Sequence, residues 1–219
     1  MPVTEFAVLK LRGGHDRLEL LEALMQCQEL QDEWMHQNQP CSVESNVNFS
    51  SMYFERPEPE PEPDEADEAD APALLITAPW DSPEAHGDWI QSRENQTCNG
   101  KLSEYIEPGC DSVLLFHVEP AGRRAQIRGA FLSKGTFHIC NMTVAPGRRK
   151  PLQEAYQSLE DAVADRGMRH ELWAGWRIEK SGDKEEFVIF WSDSVLGDRL
   201  RHLMSFADTK VHRRFKHVV

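Results

Sequence analysis

Most signatures of familiar enzymes are missing from this sequence. It has no G-x-S-x-G elbow, H-E-x-x-H pair, Gly-rich phosphate loop or dinucleotide fingerprint, so hydrolase, metalloprotease and nucleotide-binding chemistries have no motif to rest on. The five cysteines, Cys27, Cys41, Cys98, Cys110 and Cys140, are odd in number and form no C-x-x-C pair. That excludes the usual zinc and redox spacings and reads as the reduced thiols of a cytoplasmic protein. No apolar run approaches the roughly 18 residues that span a bilayer, and no signal-peptide core precedes the first strand-like pattern, so neither insertion nor secretion is expected. Basic residues are also scarce, with 24 Lys and Arg against 37 Asp and Glu. Nucleic-acid binding needs a basic footprint to displace counterions, so no such partner is expected. The small basic run from Lys210 to His217 reads instead as an edge strand guarded by charge.

What is present is enough apolar residue, 40% of 219, for two half-domains of about 100 residues sharing one core. The net charge of −13 is concentrated: nine acidic residues and one Arg lie between Glu55 and Asp70, leaving only −5 for the rest. The stretch 55–72 is rich in Pro, Glu, Asp and Ala and cannot bury enough apolar area to offset its ordering entropy, so a disordered acidic insertion is expected there.

Periodicity sets the elements. Val3 to Leu11 reads as a strand, and Asp16 to about Met35 as a helix with Leu18, Leu21, Ala23, Leu24, Cys27, Leu30 and Trp34 toward a sheet. Val43 to Phe54 and Ala73 to Ala78 read as strands. A helix follows from Trp80 to about Asn95, then a loop with a helical turn near Leu102 and Tyr105, then a strand from Val113 to Val118. The order repeats with a strand at Thr136–Val144, a helix from Lys150 to Arg166 presenting Leu152, Ala155, Tyr156, Leu159 and Val163, and strands over Glu171–Glu179 and Glu185–Trp191. A helix from Ser194 to Phe206 and a strand from Lys210 to Val219 complete it. Trp173 and Trp176 fall on opposite faces of their strand. Both units contain one strand-to-helix junction, Trp80-Asp81-Ser82-Pro83 and Trp191-Ser192-Asp193-Ser194, with Asp and Ser as N-caps. Glu22-Ala23 and Glu154-Ala155 are 132 apart whereas Trp80 and Trp191 are 111 apart, and the acidic insertion supplies most of the 21-residue difference.

A β-α-β-β-α-β order repeated is the ferredoxin-like unit in tandem, so the expected fold is α+β, two ferredoxin-like units forming a single-chain pseudo-dimeric α/β barrel. Residues 1–118 are the first unit, 119–135 a linker or bridging segment, and 136–219 the second. Trp80-Asp81-Ser82-Pro83-Glu84-Ala85-His86, followed by Trp89 and Ser92, resembles the motif of the antibiotic biosynthesis monooxygenase family within the dimeric α/β-barrel superfamily. The resemblance implies a pocket between each sheet and its helices, used in some relatives for cofactor-independent oxygenation of aromatic polyketides and in others for heme breakdown. Heme-degrading relatives carry an Asn on the first strand, a Trp on the second helix and a His ten residues later. Trp89 matches, but the ten-residue step lands on Asn99 and the first strand has no Asn; in the second unit Asn141 is on the strand, yet Arg199 replaces the Trp. Heme is therefore not expected, nor any other cofactor.

The candidate site residues each carry a bland alternative. Trp89 can stack on an aromatic substrate or simply pack a helix on its sheet. His86 suits a general base and equally a packed histidine, and Asn141 is paired with it as a catalytic candidate that hydrogen-bonds a phenol or quinone. Tyr105, His117 and His138 are candidates for contacting substrate; two histidines without a carboxylate arrangement make a poor metal site. The functional expectation is a cofactor-independent monooxygenase or cyclase acting on a small aromatic, polyketide-like metabolite. The alternative is a noncatalytic binding or interaction protein whose pocket has degenerated. Internal pairing points to a monomer, with a homodimer as the other arrangement.

Overall fold

The computed structural model describes residues 1–39, 50–56, 73–124, 135–180, 182–195 and 197–219. The first half contains β1 (Val3–Lys10), α1 (Arg17–Asn38), β2 (Ser51–Arg56), β3 (Ala73–Trp80), α2 (Pro83–Gln91), α3 (Arg93–Leu102) and β4 (Val113–Pro120). The second contains β5 (Thr136–Val144), a 3-10 turn at Pro146–Arg148, α4 (Arg149–Ala164), β6 (Leu172–Arg177), β7 (Glu185–Ser192), α5 (Asp198–Met204) and β8 (Thr209–His217).

The eight strands close into an antiparallel barrel in the order β1-β3-β2-β8-β5-β7-β6-β4. Each half contributes a four-stranded sheet, β4-β1-β3-β2 and β8-β5-β7-β6, and the halves join at two seams, β2 with β8 and β4 with β6. Side chains alternate across each strand, which divides the core in three. Phe6, Tyr53, Phe116, Phe137, Trp173, Phe190 and Phe215 fill the barrel interior from both halves. Outside the barrel, Val3, Ala7, Leu74 and Trp80 pack under α1, α2 and α3, and Met142, Trp176, Phe187 and Trp191 pack under α4 and α5. Trp173 and Trp176 thus face opposite sides of β6.

Closure corrects one reading of the sequence. β8 is no edge strand; it lies between β2 and β5, and its Arg213 is 3.7 Å from Glu55. β2 runs on to Arg56, so Glu55 and Arg56 are strand residues, while the expected disorder of 57–72 and the strand over 43–49 lie outside the described residues. Helix α1 buries Leu20, Leu24, Cys27, Gln28, Gln31 and Met35, packs the predicted Leu21, Ala23, Leu30 and Trp34 partly buried against the same core, and leaves Leu18 exposed, so the buried face is shifted toward Gln28 and Gln31. Its apolar residues surround much of the cylinder, so tertiary contact rather than periodicity chose the side. The single helix expected up to Asn95 is two: Ser92 has extended backbone, ends α2 and caps α3, its Oγ accepting from Asn95 N at 3.0 Å. The second junction starts its helix only at Asp198, after Gly197 and without a side-chain cap, not at Ser194. Among the described residues no helix is long and apolar enough to cross a membrane.

Candidate functional site

β1 is buried on both faces, by the helices of its own half and by the barrel interior, yet it carries an acid. Glu5 is 5% exposed and points to the helix side, opposite Ala78 on β3 and His117 on β4. Burying a carboxyl group without hydrogen bonds is costly, and its partners are all nearby. Trp80 Nε1 donates to Glu5 Oε2 at 2.9 Å, and His86 Nε2 lies 3.4 Å from the same oxygen. His86, itself 1% exposed, stacks on Trp80 with ring centroids 4.6 Å apart. Its Nδ1 meets His117 Nε2 at 2.8 Å, and His117 Nδ1 meets Glu179 Oε1 at 2.5 Å. Glu179 follows β6 of the second half and also accepts from the His117 backbone N–H at 2.9 Å. An unbroken line of side chains therefore runs from buried Glu5 to Glu179, whose side chain is 44% exposed.

Burial pushes the Glu5 carboxyl up to about 7, opposed by the Trp80 hydrogen bond and by His117. Burial, reinforced by His117, lowers His86 to about 3, so its ring is neutral at pH 7. For Glu179, partial burial acts upward, but the hydrogen bonds from the His117 ring and backbone outweigh it and hold the carboxyl below its usual range.

Glu5 and His86 open onto a cavity of about 360 Å³ between the sheet and α1, α2 and α3. Its wall is mostly apolar, from Ala7, Leu9, Met52, Ile76, Trp89 and Leu102, and partly exposed Ile90, Val113 and Leu115 line it as well. Trp89 packs against Trp34, centroids 5.6 Å apart. With the Asn95 amide oxygen turned to the indole, Asn95 accepts from Trp89 Nε1 at 3.0 Å. Gln31 also lines the cavity, and its buried Nε2 has no hydrogen-bond partner among the described residues. Such a donor marks a place for a ligand's acceptor.

The structure thus brings Trp89 and His86 to one cavity, with His117 one hydrogen bond behind. Tyr105 lies beyond it, edge-on to His15 at 6.1 Å, and does not line the wall. His138 and Asn141 sit on β5 in the other half. Asn141 is on the barrel-interior face of its strand, and His138 bonds His212 at 2.9 Å and Asp193 at 2.6 Å. Glu5, Gln31 and Glu179 were not singled out by sequence. The available signals were polar residues in apolar patterns: Glu5 within Val3-Thr4-Glu5-Phe6-Ala7-Val8, and Gln31 on the stripe Leu24, Cys27, Met35.

The second half does not repeat the site. With Trp80 and Trp191 as counterparts, strand pairing puts Cys140 where Glu5 stands and His212 where His117 stands. Arg199 is exposed and does not take the place of Trp89; Leu200 and Leu203 fill the buried face of α5. Nor does the first-half cavity suit heme: among the described residues His86 is its one lining imidazole, and both of its ring nitrogens face protein partners. Among the described residues no group of three or more His, Cys, Asp or Glu is placed to hold a metal ion.

No family model matches the sequence, and no curated protein matches it. Solved structures do. A monooxygenase candidate from Fusobacterium nucleatum is 8% identical, with all of this chain and 93% of that one covered at a TM-score of 0.60. Another from Lactobacillus acidophilus is 9% identical, covering 100% and 94%, also at 0.60. An anthrone oxidase-like protein is 9% identical, covering 100% and 92%, at 0.55. This likeness is one of fold alone.

Proposed function

We propose that the first-half cavity binds a small, flat, electron-rich aromatic and that Glu5 removes a proton from it, initiating oxygenation without a bound cofactor. The observation that carries this reading is a carboxyl group held near neutrality at the wall of an otherwise apolar cavity, since a base works best when its pKa lies near the operating pH. The cavity volume is within the ~300–1,000 Å³ usual for small-molecule sites. Trp89 offers a ring face, Gln31 a donor for a carbonyl or phenolic oxygen, and the apolar wall excludes water.

An anthrone-type substrate illustrates the balance. The Glu5 carboxylate takes a proton from the activated C–H, the carbanion gives an electron to dioxygen, and recombination forms a C–O bond. The peroxide anion recovers the proton from Glu5. Loss of water, with the second C–H proton, then leaves a carbonyl, so the substrate is oxidised and dioxygen reduced. The fold-related oxygenase candidates and anthrone oxidase-like protein lend support to this substrate class.

Oxygen uptake over a panel of anthrones, hydroxynaphthalenes and quinols tests the reading. Turnover should fall by about 10²-fold or more in Glu5→Gln, and Trp89→Ala should weaken binding by about 1–3 kcal/mol. Ligand binding that quenches tryptophan fluorescence with no oxygen uptake across the panel would make this a binding protein instead.

A further inference from the structure

We propose that Glu5, His86, His117 and Glu179 form a proton relay between the cavity and the surface, with Glu179 of the second half as the positioning residue that holds its outer end. The inference deepens the proposed role of Glu5 and concerns how that group is loaded and unloaded.

The ring nitrogens admit two arrangements with the same number of protons. In the first, the protonated Glu5 carboxyl faces His86 Nε2 across 3.4 Å, His86 Nδ1–H donates to His117 Nε2, and His117 Nδ1–H donates to the Glu179 carboxylate. In the second, the Glu5 proton has moved to His86 Nε2 while the His86 Nδ1 proton has moved to His117 Nε2. Glu5 is now a carboxylate, His86 is neutral again as its other tautomer, and His117 is an imidazolium beside Glu179. Two N–H or O–H bonds break and two form; no oxidant or further partner is needed. His86 changes tautomer without carrying net charge, which suits a ring whose burial opposes protonation. The excess proton then sits next to a side chain that solvent reaches.

Groups from every neighbouring element bear on Glu5: Trp80 of β3, His86 of α2 and His117 of β4, with Gln31 and Cys27 of α1 and Cys98 of α3 lining the same cavity. His117 faces Glu179, and Glu84 of α2 interacts with both His117 and the terminal amino group.

Difference infrared spectroscopy of the whole chain without substrate tests the relay through the protonated-carboxyl stretch of Glu5, assigned by its loss in Glu5→Gln. In wild type the band should disappear as pH rises through about 7. In Glu179→Gln a charged His117 loses the carboxylate that hydrogen-bonds its ring, leaving only the more distant Glu84, so the midpoint should rise by about one pH unit or more. Simple repulsion between carboxylates predicts the opposite, because removing one would lower the midpoint of the other. His117→Gln keeps an amide beside His86 but cannot carry the proton, and should give the same upward shift together with slower hydrogen–deuterium exchange at the His86 ring. A midpoint unchanged or lowered in Glu179→Gln, with wild-type circular dichroism and melting, overturns the relay. Should His117→Gln fail to fold, the partly exposed Glu179 position still decides. No substrate enters the measurement, so failure of the oxygenase reading and failure of the relay are separately visible.

Discussion

At the scale of single residues, the site depends on one acid and one imidazole buried against each other with opposite consequences for stability. Glu5 is raised above its unfolded value, so the folded state binds the extra proton between about pH 4.5 and 7, and stability falls as pH rises through that window. His86 is lowered from 6.5 to about 3, so the unfolded state binds the extra proton between those values and stability rises with pH across them. The two slopes cancel from about pH 4.5 to 6.5, which predicts a flat contribution from the pair there. Glu5→Gln removes one of them. Relative to wild type, that variant should gain stability from pH 4.5 to 7, by up to about 3 kcal/mol, in denaturant titrations at a series of pH values. A difference independent of pH would show that Glu5 titrates in the folded protein as it does in water.

At the scale of elements, the cavity exists because the segment after β3 is two short helices instead of one. Ser92 turns the chain, and the turn lets α2 present His86 and Trp89 while α3 presents Asn95, Cys98, Asn99 and Leu102 to the same space. Continuing α2 as a straight helix would carry those residues past it. The cap is a hydrogen bond from Asn95 N to Ser92 Oγ, and losing such a cap costs about 1 kcal/mol. Ser92→Ala should therefore lower stability by that amount in chemical denaturation and weaken aromatic ligands. Ser103→Ala, which removes an exposed bond to Gly100 O at the far end of α3, should leave ligand affinity unchanged.

At the scale of the molecule, neither half is complete alone. Each four-stranded sheet has helices on one face only, and its other face is covered by the opposite half through the shared aromatic interior. We expect separately expressed halves to aggregate or to dimerise, as size-exclusion chromatography would show; a stable folded monomer from either half contradicts the shared core. The seam between β4 and β6 is tight at Gly175, where a Cβ would collide with Glu119 O and Val118 Cγ1. Gly175→Val should accordingly destabilise by about 1–3 kcal/mol or more in thermal denaturation. Because Glu179 lies two residues beyond β6, the same substitution should also raise the Glu5 midpoint, so the seam couples assembly to the site.

The sequence by itself determined the order of the strands and most of the helices, though not the break at Ser92 that divides α2 from α3. Alternation in β5, the three-and-four spacing of Leu152, Tyr156, Leu159 and Val163 in α4, the Ser82 cap and the opposite faces of Trp173 and Trp176 are all local properties, and each is visible within a few residues of chain. A repeated β-α-β-β-α-β order then leaves few ways to cover both sheet faces, which is why the barrel was legible too. The site was legible in part: His86 and Trp89 share α2, and His117 was named on its strand, but without its partners. Periodicity reports that a position is buried but not what stands opposite it, and that is set by register and helix rotation. Pairing of β1 with β4 put Glu5 beside His117, the rotation of α1 aimed Gln31 rather than Leu18 inward, and closure at the β4–β6 seam brought Glu179 from the other half. Tertiary structure alone decided these three contacts, because the free energy that fixes each comes from residues far away in the chain.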